Sequence, residues 1–162
     1  MALFFSGPAW AGTGEERSGQ IPNPDEKFIE NAVAGGRTEV QLGQLAADKA
    51  TDPAVRDFGT RMVQDHQKAN DELTRILSEK GITEPVPTEE TTRMSNLQNL
   101  SGADFDRTYM QDAIADHKED IASFKNEADN GKDPEIRAWA AQTVPTLEEH
   151  LQMAEKAESA LK

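Results

Sequence analysis

Asp52-Pro53-Ala54-Val55-Arg56-Asp57-Phe58 and Asp133-Pro134-Glu135-Ile136-Arg137-Ala138-Trp139 are two versions of one heptapeptide. An aspartate carboxylate can accept from the free N–H groups of a first helical turn. A proline just behind it loses only a donor that would have had no partner. Val55 and Phe58, like Ile136 and Trp139, then begin an apolar stripe at helical spacing. Each heptapeptide therefore reads as the start of a helix, and the residues before it read as the end of another. Two such restarts imply two long helical hairpins.

Working outward, the stripes confirm the period. Asp25 is an N-cap candidate for the first helix, followed by Phe28, Ala32, Gly35, Glu39, Leu42, Ala46 and Lys49. The second carries Val55, Phe58, Met62, His66, Ala69, Leu73 and Ile76, and Gly81 is placed to end it. Thr88 caps a short helix through about Asn99, inside a connection spanning 81–101 that contains two prolines, Pro85 and Pro87. Ser101 opens the third long helix, with Phe105, Tyr109, Ala113, His117, Ile121, Phe124 and Ala128, closed by Asn130-Gly131. The fourth carries Ile136, Trp139, Thr143, Leu147, His150, Ala154 and Ala157, with Pro145 inside it as an expected kink. The expected fold is all-α: an antiparallel four-helix bundle with a short extra helix between the second and third long helices. With both tight turns at one end, Phe58 and Trp139 should pack near one another there.

Composition narrows the function. Thirty acidic residues against 17 basic give a formal charge of −13, which repels nucleic acid and anionic membrane surfaces. With no cysteine, disulfides, thiolate metal sites and thiol catalysis are excluded. Residues 1–11, MALFFSGPAWA, are uncharged and mostly apolar, and Ala9-Trp10-Ala11 fits a signal-peptidase site. They read as a signal-peptide remnant, residues 12–25 as a flexible linker, and 26–162 as the bundle domain, placing the protein in the periplasm or outside the cell. Gly7-Pro8 interrupts the apolar run well short of the roughly 20 residues a membrane span needs.

Bundle seams should be apolar, yet each long helix breaks its stripe once, at Glu39, His66, His117 and His150. These include all three histidines of the chain. Glu39 lies 13 residues before Asp52 and His66 14 after it, while His117 lies 16 before Asp133 and His150 17 after it. At 1.5 Å per residue they sit about 20–26 Å from the turns, in one layer. Three imidazoles and a carboxylate form a four-ligand set for a divalent transition metal such as zinc, iron, manganese or copper. The competing reading is a metal-free polar layer in which Glu39 hydrogen-bonds one histidine. Asp65, Asp116 and Glu149 each precede a histidine but point about 100° away, which favours solvated helix faces, with orientation of the imidazoles from behind as the alternative. Tyr109 and Asp112 read as hydrogen-bonded core or boundary residues.

Several runs resemble the bacterial family called domain of unknown function 4142. They are Phe28-Ile29-Glu30-Asn31-Ala32, Gly35 through Gly43, Met62 through Asn70, Leu100 through Tyr109, and Val144-Pro145-Thr146-Leu147-Glu148-Glu149-His150-Leu151. The similarity covers about residues 26–160. It implies a ferritin-like helical bundle, exported to the bacterial envelope, with no established activity; the family commonly has Leu where Val144 stands. Di-iron members of the ferritin-like fold use Glu-x-x-His pairs. Here Val63, Ile114 and Leu147 stand three before the histidines, which points to a mononuclear, histidine-rich site instead. There is no phosphate-binding glycine loop, nucleophile elbow or His-Glu-x-x-His. The leading expectation is a non-catalytic metal-binding protein. The alternatives are a metal-free envelope or stress protein and a metal-dependent oxidoreductase.

Overall fold

The computed structural model describes residues 23–85 and 91–161. Every regular element there is a helix: α1 (Asn23–Lys49), α2 (Pro53–Glu79), α3 (Thr91–Asn99), α4 (Gly102–Asn130) and α5 (Pro134–Ala160). The expected signal-peptide remnant, most of the linker and the Thr88 cap lie outside the described residues. Residues 23–25, assigned to the linker, already belong to α1. Among the described residues, no helix is long and apolar enough to cross a membrane.

The starts of α2 and α5 form as the sequence dictates, whereas Asp25, the expected N-cap of the first helix, stands inside α1. Asp52 Oδ1 accepts from the N–H of Ala54 at 2.8 Å, and Asp133 Oδ1 from Glu135 and Ile136 at 3.0 and 3.2 Å. Gly81, at φ +68°, takes the left-handed conformation that ends α2. Its N–H donates to Ser78 and that of Ile82 to Leu77, while the Ile82 side chain covers the apolar group around Leu77. Helix α5 continues through Pro145 to Ala160.

Packing corrects one expectation. Helix α1 pairs with α2 and α4 with α5; α2 also lies against α5, and α1 touches α4 more sparsely. The two tight turns, however, stand at opposite ends. The first is fixed by buried Asp106 at the start of α4, whose carboxylate accepts from the N–H groups of Thr51 and Asp52 and from the Thr51 hydroxyl. The second is fixed by buried Asp25 at the start of α1, which accepts from Lys132 and Asp133. Helices α1 and α5 therefore run one way and α2 and α4 the other, and the 80–101 connection travels the length of the molecule. Phe58 packs on Tyr109 at one end (ring centroids 6.0 Å apart), and Trp139 on Phe28 at the other (6.0 Å). They do not meet.

The apolar core splits accordingly. One group gathers Leu42, Ala46, Val55, Phe58, Met62, Phe105, Tyr109 and Met110, covered by Leu97 of α3. The other gathers Phe28, Ile29, Leu73, Ile76, Leu77, Phe124, Ile136 and Trp139. Between them lies a polar layer.

Candidate metal centre

His66, His117 and His150 are all buried, at 7%, 0% and 1% exposure, and each offers a ring nitrogen within 4.8 Å of the other two. Their meeting survives the inverted turns because each lies near the middle of a helix of 27 to 29 residues. A midpoint keeps its height whichever way its helix runs. Glu39 is buried too, but stands outside this group. It lines a groove with Arg93 and Asp116 on the α1–α4 face, and its charge reaches Tyr109.

Hydrogen bonding fixes the tautomers. His117 Nδ1 lies 2.8 Å from the Ala113 carbonyl, which can only accept, so Nδ1 carries the proton. His150 Nε2 lies 2.9 Å from Asp65 Oδ2. Burial works to raise the Asp65 pKa, but hydrogen bonds from Arg61 and His150 outweigh it and keep the carboxylate ionised. His150 therefore carries its proton on Nε2. The remaining nitrogens, His117 Nε2 and His150 Nδ1, face one another at 3.3 Å with a lone pair on each. His66 Nε2 has no hydrogen-bond partner among the described residues.

Burial is the largest cause lowering all three histidine pKa values, because the interior disfavours imidazolium. It is reinforced at His66 by His117 and His150, and at His117 by His150, bringing them to about 3 and about 4. Asp65 partly opposes the fall at His150. Near neutral pH no proton is held between the facing lone pairs. Two nitrogens bound at 2.0–2.1 Å to one tetrahedral metal stand about 3.3–3.4 Å apart, which the His117–His150 separation matches.

Of the two readings of Asp65, the geometry favours the one that orients an imidazole. On α2 it does point away from its neighbour His66, but what lies in that direction is His150 of α5. Arg61, which also reaches Glu149 at 3.7 Å, holds it in place. Asp116 is instead paired with Arg93 of α3 (Nη2 to Oδ1 2.9 Å), and Glu149 stays largely exposed. Tyr109 departs from expectation: its buried hydroxyl finds no hydrogen-bond partner among the described residues, and burial, with the Glu39 charge, raises its pKa well above the usual value. Sequence reasoning also missed the turn-fixing pair Asp25 and Asp106. A signal existed, since each lies 27 residues before the aspartate of the turn that the other fixes.

Fold and site define an all-helical protein with a buried trihistidine group between two apolar layers. The chain belongs to the family described as Domain of unknown function (DUF4142), whose model matches residues 11–157. The fold is similar to that of two solved structures. One is a DUF305 fragment from Deinococcus radiodurans (TM-score 0.76, 16% identity, covering 87% of this chain and 99% of that one). The other is a DUF305 protein from Streptomyces coelicolor, a proposed secreted protein (TM-score 0.70, 15% identity, covering 82% and 88%). No curated protein matches the chain.

Proposed function

We propose that this is an exported, ferritin-like four-helix-bundle protein that binds one divalent transition metal through His66, His117 and His150. The observation that carries the reading is the pair of opposed lone pairs at 3.3 Å in a buried site, beside a third imidazole nitrogen with no partner. A cation converts that repulsion into three ligand bonds. Asp65 completes the arrangement by holding His150 in the tautomer that turns Nδ1 inward, the role a carboxylate commonly plays behind a metal-bound imidazole. Glu39 is not needed as a ligand, and the fourth position is left for water or a small exogenous molecule. Export is supported by the Ala9-Trp10-Ala11 pattern. The test is elemental analysis of protein loaded in turn with zinc, iron, manganese and copper, then desalted. One equivalent per chain in the wild type, and none in His117→Ala, supports the site; no retained metal reduces the group to a polar layer.

A further inference from the structure

Two cavities, one inside the bundle and one at its surface, share a wall formed by α1 and α4. The inner one, of about 30 Å³, is bordered by His66, Asn70 and Trp139. The outer one, of about 110 Å³, is bordered by Glu39, Arg93, Asp116 and Glu119. Gly35 and Asp120 line both. We infer that together they form the access route by which a metal cation passes from solvent, between α1 and α4, to His66. The inference rests on the trihistidine reading and adds the path to it.

Charge, chemistry and size agree. The outer cavity presents the carboxylates of Glu39, Asp116, Glu119 and Asp120 against the single guanidinium of Arg93, which already holds Asp116. A mouth of that sign concentrates cations and excludes anions, and the −13 charge of the chain adds to the field. Burial is the main cause that pushes the Asp120 carboxyl up to about 6, and Asp116 and Glu119 add a negative potential that a passing cation offsets. The inner cavity ends at His66, whose buried Nε2 lacks a partner. Its volume holds only one or two water-sized particles. A fully hydrated ion does not fit and must exchange waters for oxygens on the wall, which Asp120 and the Asn70 carboxamide supply.

The two glycines shape this path. A Cβ on Gly36 would lie 2.1 Å from Asn70 Oδ1, so the missing side chain is what admits the carboxamide. A Cβ on Gly35 would meet nothing within 4 Å, which marks open space at the junction of the cavities. The larger groove between α2 and α5, about 290 Å³, also meets the inner cavity, at Ala69 and Thr143, but its walls set Arg61 and Lys68 against Asp65 and Glu72 and so lack the acidic excess of the outer cavity.

The test is stopped-flow uptake of cobalt(II) by the full chain, followed through the visible absorption that cobalt acquires with nitrogen ligands. Gly35→Leu places a branched side chain at the junction without touching a ligand. A blocked path slows entry and exit alike, so loading and chelator-driven release should both slow on the order of tenfold with equilibrium affinity unchanged. Gly35→Ala, whose methyl enters open space, should load at the wild-type rate. Asp120→Asn should slow loading several-fold and weaken its dependence on salt. If the wild type loads and both Gly35→Leu and Asp120→Asn load equally fast, the route is overturned and the metal site stands. If the wild type takes up no cobalt, the trihistidine reading itself falls.

Discussion

The two ends of the molecule are near copies of each other, and its middle is not. A shift of 81 residues carries Asp25 to Asp106, Asp52 to Asp133, Phe28 to Tyr109 and Phe58 to Trp139. Each end thus has an Asp-Pro turn, a buried carboxylate holding that turn from the other hairpin, and an edge-on aromatic contact. The same shift carries Gly36 to His117, Ala69 to His150 and His66 to Leu147. What repeats is what closes a hairpin onto its neighbour. What fails to repeat is a buried, mutually repulsive polar group that no packing argument requires. Departures of that kind from locally consistent design are expected at functional sites.

The ends should break hardest. Phe58→Ala and Trp139→Ala each empty a buried aromatic site and should each cost about 3–5 kcal/mol by denaturant melts. Because they lie at opposite ends, the double variant should lose the sum to within about 0.5 kcal/mol. Strong coupling between them would mean that the two turns share one end after all.

Next comes the middle, through its metal. A ligand bound only to the folded state stabilises it, so chelation should lower the melting temperature of loaded wild type and leave His66→Ala, His117→Ala and His150→Ala unmoved. Asp65→Asn should keep the fold yet weaken metal binding about 10–100-fold, read by competition with a chelating dye. An unchanged affinity would remove Asp65 from the site.

The helices were legible because their signals are local: an aspartate before a proline, a glycine in the left-handed conformation at position 81, and apolar stripes of period 3.6. Relative orientation is not local, and counting heights from the turns silently assumed it. The length of the connection held the missing information. Helix α2 rises about 40 Å over its 27 residues, and a segment of some twenty residues with one short helix can return that distance. The histidine layer was legible in spite of the inverted turns, since midpoints coincide either way. The removal of Glu39 from the cluster was not. A seam position on a helical wheel does not say which of two neighbouring helices a side chain faces, and Glu39 faces the sparse α1–α4 side. The sequence left Asp65 between solvent and an imidazole for the same reason, its direction being clear but not the helix waiting there.

The contrast between ends and middle can be sharpened with His66→Leu, the residue that the repeat itself supplies as Leu147. Without metal, this variant should be more stable than the wild type by on the order of 1 kcal/mol at pH 7, since it removes a buried unsatisfied nitrogen. The advantage should grow on acidification. His66 and His117 have folded-state values near 3 and 4, below the ordinary 6.5, so the unfolded chain takes up protons first. The stability they permit is present above about pH 6.5 and is lost as pH falls from there toward 4. Urea melts of metal-free wild type and His66→Leu across that range provide the check; parallel curves would show that His66 ionises freely in the folded state.

The smallest effect lies where the ends differ. The 81-residue shift carries Ala46, buried at the first turn, to Glu127, buried at the second. The backbone job is the same, since the Ala46 carbonyl accepts from Ala50 at 3.0 Å and that of Glu127 from Gly131 at 2.8 Å. The side chain is an addition to that design, with Oε1 unpartnered among the described residues. Burial, then Asp25 and Asp133, push its carboxyl up to about 7 against the pull of Arg137. A group whose folded pKa is raised favours the folded state most below its unfolded value of about 4.5. That contribution fades as pH climbs through 7, where an ionised Glu127 must sit beside the Asp25 carboxylate that fixes the turn. Glu127→Gln, permanently neutral and nearly the same shape, should therefore match the wild type at pH 4 and exceed it at pH 8, by on the order of 1 kcal/mol or less. Equal stability at both pH values would show that Glu127 is solvated or paired at the second turn, leaving the two ends as alike energetically as they are in sequence.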